Sequence, residues 1–291
     1  MVDALTGELR YKVDVQGTPS HPTAINVMPL LVPNPANGTV MAYCADPYFL
    51  RAVRLGPTSG TVLWTQSLII GGQDALPTMV GDSIVLEGCA YDVVTGERNQ
   101  FYSPGPSSIT VTYDSVRRNI YISRPDSPRS SLLAYRYTDN ARIDFLWEYI
   151  GLGVGWDSVA IGPDGKIYSN ADSLLLEFDP DTGAILRSVS GMFATYSVPS
   201  LTAGMIWTNS EDNTTPYDLQ TFHPARTLPG GNFANGYGAC GAFTDGYFVM
   251  DHGVLVGNRG SMCTPSPLHS PLIFLRACGS RPAITLASAV S

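Results

Sequence analysis

Four histidines, His21, His223, His252 and His269, are the side chains here best suited to moving protons near neutral pH, and none falls in a metal-binding spacing such as H-E-x-x-H. His252 follows Asp251 in Met250-Asp251-His252-Gly253, a pairing that strand ends commonly produce, and all four read as loop or turn residues. The five cysteines, Cys44, Cys89, Cys240, Cys263 and Cys278, are odd in number and contain no C-x-x-C pair. They signal neither a zinc site nor a complete disulfide framework, and read mostly as small buried apolar residues. Gly162-Pro163-Asp164-Gly165 lacks the alternating oxygen ligands and terminal glutamate of a calcium loop, and is a hairpin turn. No helical pattern follows Gly151-Leu152-Gly153-Val154-Gly155, so no helix N-terminus would face a phosphate there.

A catalytic or binding site needs groups that converge. The strongest convergence comes from position: residues about eight places before each hairpin turn should fall where the chain joins an innermost strand. These include Asp74, Trp156 and Tyr196, with Asp157 and Tyr237 adjacent to equivalent places. Two acids and three aromatics could form a mouth for a cation or a sugar. A plainer reading also fits, in which Asp74 and Asp157 cap loops and the aromatics pack between sheets.

The elements that would position these residues are all strands. The chain has 291 residues with 29 Gly, 22 Pro and 15 Tyr and only 14% charged residues, a composition of turns and apolar strands with little helix-building Glu and Lys. Its repeats are explicit. Asp3-Ala4-Leu5-Thr6-Gly7, Asp92-Val93-Val94-Thr95-Gly96 and Asp179-Pro180-Asp181-Thr182-Gly183 share one pattern, in which Asp accepts backbone amides and Gly supplies a positive φ. Weaker copies at Ser59-Gly60, Asp139-Asn140 and Phe222 to Leu228 place six corners near 7, 60, 96, 140, 183 and 226. Apolar hairpins turn near Gly38, Gly81, Arg117, Gly165, Gly204 and Gly246, between the corners. Four strands per unit of about 42 residues is the pattern of a β-propeller blade. The expected fold is therefore all-β, a propeller of about six four-stranded blades. Its ring would close by pairing N-terminal outer strands (Val2 to Val15) with a C-terminal inner pair (Gly241 to Val256). Residues 1–263 form the propeller in this reading, and 264–291, opening on Thr264-Pro265-Ser266-Pro267, an irregular extension.

The pattern Asp-x-x-Thr-Gly-x-x-x-aromatic resembles the quinoprotein-like (PQQ-like) propeller family, whose Thr-Gly-x-x-x-Trp stretches lock neighbouring blades together. Thr6-Gly7 with Tyr11, Gly60 with Trp64 and Thr182-Gly183 carry the likeness over roughly residues 1 to 260, while Gln100 and Arg187 stand where the aromatic would be. The resemblance implies the scaffold without the cofactor. Quinone-dependent members are about twice this length and place adjacent cysteines against the quinone, and no two cysteines are neighbours here.

Strong turn chemistry and weak catalytic chemistry point to a non-catalytic propeller that binds a protein or small molecule through its funnel face, with no cofactor. Two alternatives stand beside it: a small six-bladed enzyme resembling calcium-dependent lactonases, with Asp74 and Asp157 holding the metal, and a fragment of a larger quinoprotein-like propeller. A net charge of −8, with Lys12 and Lys166 the only lysines, argues against a nucleic-acid partner. No apolar run is long enough for a transmembrane helix, and Met1-Val2-Asp3 begins no secretory signal. Low lysine and many aromatics lean toward an extracytoplasmic protein all the same.

Overall fold

Short runs of Val, Ile, Leu and Tyr bounded by Gly, Asn and Asp favour strands closed by tight turns. The computed structural model of the chain contains strands and turns, and no helix, among its described residues. Those residues are 8–15; 29–229 apart from 35, 47, 69–75, 87–88, 101–110, 125–129, 139–142, 152–158, 172, 192–198, 203, 210–212 and 226; and 242–244 and 247–249.

Five four-stranded antiparallel sheets follow one another along the described chain. The first holds β1 (Leu30–Asn34), β2 (Thr39–Ala45), β3 (Phe49–Leu55) and β4 (Gly60–Ser67). The second holds β5 (Thr78–Val80), β6 (Ser83–Leu86), β7 (Cys89–Asp92) and β8 (Arg98–Gln100). The third is β9 (Val111–Asp114), β10 (Asn119–Arg124), β11 (Ser130–Tyr137) and β12 (Ile143–Gly151). The fourth is β13 (Ala160–Ile161), β14 (Ile167–Ala171), β15 (Leu174–Phe178) and β16 (Ile185–Ser190). The fifth is β17 (Ser200–Leu201), β18 (Met205–Asn209), β19 (Asn213–Asp218) and β20 (Leu228–Pro229). A two-stranded sheet pairs β21 (Ala242–Thr244) with β22 (Tyr247–Val249).

Each four-stranded sheet is a meander in chain order. The first and third turns of a sheet therefore share one end, and the middle turn and the exit to the next sheet share the other.

The core lies between successive sheets. Tyr43, Leu50, Ala52 and Trp64 of the first meet Ile84, Leu86 and Tyr91 of the second. Val85 and Ala90 of the second meet Ile120, Ile122 and Tyr137 of the third. Tyr121, Leu132 and Trp147 meet Ile167, Leu176 and Phe178 of the fourth, and Tyr168 and Leu175 meet Ile206, Tyr217 and Phe222 of the fifth. Middle strands are covered on both faces, which is why β14 is buried throughout while the outer strand β16 alternates. First strands lie side by side, β5 against β9 and β13 against β17. Thr78 Oγ1 donates to the Val111 carbonyl at 2.9 Å and Thr112 Oγ1 to the Val159 carbonyl at 2.8 Å.

Of the strand pair expected over Val2 to Val15, the described residues 8–15 contain one bridge, at Leu9. This segment lies on the first sheet: the Tyr11 hydroxyl donates to the Gly56 carbonyl at 2.7 Å, and Val13 and Val15 pack on Ala42, Cys44 and Val53. The extension 264–291 lies outside the described residues.

Candidate functional site

The corners are built as the residue types require. Asp92 Oδ1 accepts from the amides of Val94 and Thr95 and from the Thr95 hydroxyl at 2.7 to 3.0 Å, and the Gly96 amide closes on the Asp92 carbonyl with φ +73°. Asp179 does the same for Asp181 and Thr182, with Gly183 at φ +70°. Thr95 holds the Asp92 carboxyl below the usual carboxylate range, through its amide first and then the Val94 amide, and Thr182 lowers Asp179 through its hydroxyl first and then its amide. Their unfolded values lie near about 3.9. The stabilisation is thus complete above that value and is lost as pH falls through the folded pKa. Asp179→Ala should cost about 1 kcal/mol at pH 7 and weaken the dependence of stability on pH below about 4, read by urea unfolding across that range.

The sixth corner is displaced from its expected place near 226. It is Asp218-Leu219-Gln220-Thr221-Phe222, in which Asp218 accepts from the amides of Gln220 and Thr221 and from the Thr221 hydroxyl. Phe222 takes φ +61° where the corners at Asp92 and Asp179 carry glycine, so a search for Gly or Asn slides past it. Its ring is buried beside Tyr168, with centroids 6.4 Å apart, which offsets the backbone strain.

Three of the corners receive a side chain from the preceding sheet. The Trp64 indole donates to the Val93 carbonyl at 3.3 Å and covers Gly96, where a Cβ would lie 2.6 Å from the ring. Trp147 donates to the Pro180 carbonyl at 3.0 Å and covers Gly183 equally closely. Arg187, an apparent loss of the docking aromatic in sequence, takes the same place. Its guanidinium donates to the carbonyls of Leu219 at 2.9 Å and Gln220 at 2.6 Å and lies 4.6 Å over the Phe222 ring.

Register places the three docking residues. Trp64 pairs with Ala52, Trp147 with Ala134 and Arg187 with Glu177, each beside a bulge. The bulge residue is leucine every time, Leu63, Leu146 and Leu186, so Leu-Trp, Leu-Trp and Leu-Arg are the sequence signal. Counting from the corner glycine misses Trp147, because the corners differ in length while the register does not.

The fourth sheet departs from the others at this point. Glu177, fully buried, stands where Ala52 and Ala134 make room for indoles. Lys166 Nζ donates to its Oε1 at 2.7 Å, Arg187 Nε donates to Oε2 at 2.7 Å, and a second Arg187 nitrogen also reaches Oε2. Tyr168 donates to Asp164 at 2.9 Å, and burial followed by this bond pushes its pKa up, so it stays protonated. Burial works to lower the Arg187 pKa, but the Glu177 carboxylate more than offsets it. Asp164, Lys166, Arg187, Asp218, Leu219 and Gln220 line an open cleft of about 870 Å3 between the fourth and fifth sheets. Both Glu177 oxygens are engaged by cations, which makes the group an ionic joint.

Asp74, Trp156, Asp157, Tyr196 and Tyr237 all lie outside the described residues. So do the corner at Asn140 and three of the histidines. His223 is in the turn that closes the Asp218 corner, its carbonyl accepting the Asp218 amide. Cys44 and Cys89 are buried, and Gly162 to Lys166 forms a hairpin turn closed by amide-to-carbonyl bonds of 2.9 Å. Among the described residues no three His, Cys, Asp or Glu side chains are grouped to hold a metal, and no helix is long and apolar enough to cross a membrane.

No family model matches the sequence, and no curated protein matches it. Solved structures do resemble it. BamB from Moraxella catarrhalis superposes with a TM-score of 0.49 at 15% identity over 68% of this chain, and this chain spans 60% of the BamB length. A Bacteroides uniformis protein provisionally assigned as a 6-phosphogluconolactonase gives 0.50 at 14% identity, over 69% of this chain and 71% of that one. The calcium-binding protein regucalcin from Agrobacterium tumefaciens gives 0.44 at 15%, over 73% and 76%. These neighbours are β-propellers, and the described residues of this chain form antiparallel sheets with no helix.

Proposed function

We propose that the chain is a non-catalytic β-propeller that binds a protein or small molecule through its funnel face, where Asp74, Trp156, Asp157, Tyr196 and Tyr237 form the contact surface. The observation that carries this reading is the side-by-side packing of first strands, β5 with β9 and β13 with β17. In chain order Asp74 precedes the first strand β5, Trp156 and Asp157 precede β13, and Tyr196 precedes β17. Further support comes from the described acids. Asp92, Asp179 and Asp218 serve turns, and Glu177 serves a joint between sheets.

The ring in this proposal has six blades. Residues 8–15 dock on the first sheet through Tyr11 much as β4 docks on the second through Trp64, which supports pairing the N-terminal segment with the β21–β22 hairpin in one composite blade. An extracytoplasmic location and the absence of a quinone belong to the same proposal.

Likeness to the Bacteroides protein keeps a lactonase reading alive, with Asp74 and Asp157 holding calcium. The length ratio to BamB keeps open a fragment of a longer propeller. Calcium separates the first two readings. If those acids formed a site, calcium at about a hundred times its dissociation constant would add about 2.7 kcal/mol to stability. The expected result is an unchanged melting temperature with calcium, in wild type and in Asp157→Asn alike, and no lactone hydrolysis. A calcium-dependent rise abolished by Asp157→Asn would overturn the non-catalytic reading.

A further inference from the structure

We propose that the fifth sheet is held to the fourth by an ionic latch, Arg187 on Glu177 and on the 218–222 corner, and opens from it locally ahead of global unfolding, widening the cleft between them. The other two described docking joints are closed by indoles packed on glycine, and Trp64 and Trp147 are both buried. The third–fourth joint adds an ion pair on its surface, Arg136 to Asp181 at 3.4 Å.

At the fourth–fifth joint the docking group is a guanidinium whose side chain remains 29% exposed along the cleft. Water therefore reaches the group that makes the joint. Release breaks no ion pair, because Arg187 and Lys166 both stay on Glu177 within the fourth sheet when Arg187 lets go of the Leu219 and Gln220 carbonyls. Two structural features lower the barrier further. Phe222 sits at φ +61° in the corner that Arg187 grips. The first and last strands of the fifth sheet, β17 and β20, have two residues each and contribute few ladder bonds. The remaining charged groups at the joint, Asp164, Lys166 and Asp218, lie on the cleft walls and stay with their own sheets. The inference stands independently of what the funnel binds.

Native-state hydrogen exchange on the whole chain, resolved by peptide, tests the latch. In wild type, amides of β18 and β19 are expected to exchange before those of β2, β3, β10 and β11. Arg187→Lys keeps a cation for Glu177 but cannot grip two corner carbonyls at once. It should speed exchange in β18 and β19 by at least about tenfold and leave the first and third sheets unchanged. Exchange of β18 and β19 in step with β10 and β11 in wild type would overturn the proposal, as would an equal acceleration of every sheet by Arg187→Lys.

Discussion

Trp147→Ala should lower stability by about 3–5 kcal/mol, the cost of a large buried aromatic that the surroundings cannot collapse to replace. Trp147 stacks on Phe178 with centroids 6.4 Å apart, lies 6.0 Å from Tyr121 and covers Gly183. Its removal empties the joint between the third and fourth sheets and leaves the Pro180 carbonyl with only the longer bond from Asn119 Nδ2 at 3.3 Å. At roughly 2–4 °C per kcal/mol for a chain of this size, the melting temperature should fall by on the order of 10 °C. Trp147→Phe, which keeps most of the ring and loses the N–H, should cost much less. Gly183→Ala approaches the same joint from the other side, since φ is +70° and the new Cβ would strike the indole. Calorimetry on the three variants checks the assignment: a loss of only a degree or two in Trp147→Ala would remove Trp147 from the set of docking residues.

Arg51→Met should cost about 3 kcal/mol for a different reason. Arg51 and Asp46 form the most deeply buried ion pair described, 2.5 Å apart with side chains 4% and 1% exposed. Methionine fills the space but leaves the carboxylate without a counter-charge, and breaking such a pair from one side typically costs 3–5 kcal/mol. The loss falls at the low end because Asp46 keeps the amides of Tyr48 and Phe49 as donors. Geometry connects this pair to the chain segment that leads on to β5. The Asp46 turn receives the Leu68 amide on the Tyr48 carbonyl at 2.8 Å, so it fixes the point from which the chain leaves toward Asp74. Cys44, paired in register with Arg51, gives an independent readout. Burial raises its thiol pKa and shields it, so alkylation of Cys44 followed by peptide mass spectrometry should quicken in Arg51→Met alongside the fall in melting temperature. Unchanged labelling together with an unchanged melting temperature would show that this pair anchors nothing.

Much of the architecture is written locally. Asp at the start of a corner, Thr three residues on and Gly or a substitute after it form the same hydrogen bonds at Asp92, Asp179 and Asp218, because all the partners lie within five residues. Asp92 to Gly96 and Asp179 to Gly183 could therefore be read directly, as could the hairpin at Gly162 to Lys166. The Asp218 corner was missed at its true place because Phe222 breaks the local rule, and only its packing under Arg187 and beside Tyr168 makes that tolerable.

By itself, then, the sequence determined an all-β chain of repeated hairpins and corners, since turn chemistry and strand alternation are properties of neighbouring residues. The tertiary structure alone decided which residues join one sheet to the next. Trp147 docks on a corner that counting from Asn140 would not reach, and Arg187 docks although it is not aromatic. Glu177 is the cause of the second exception: a buried carboxylate opposite the docking position, where other sheets have alanine, demands a cation, and that cation then does the work of an indole. Such an exchange depends on cross-strand register and on the neighbouring sheet's carbonyls, and neither is visible in the spacing of residues along the chain.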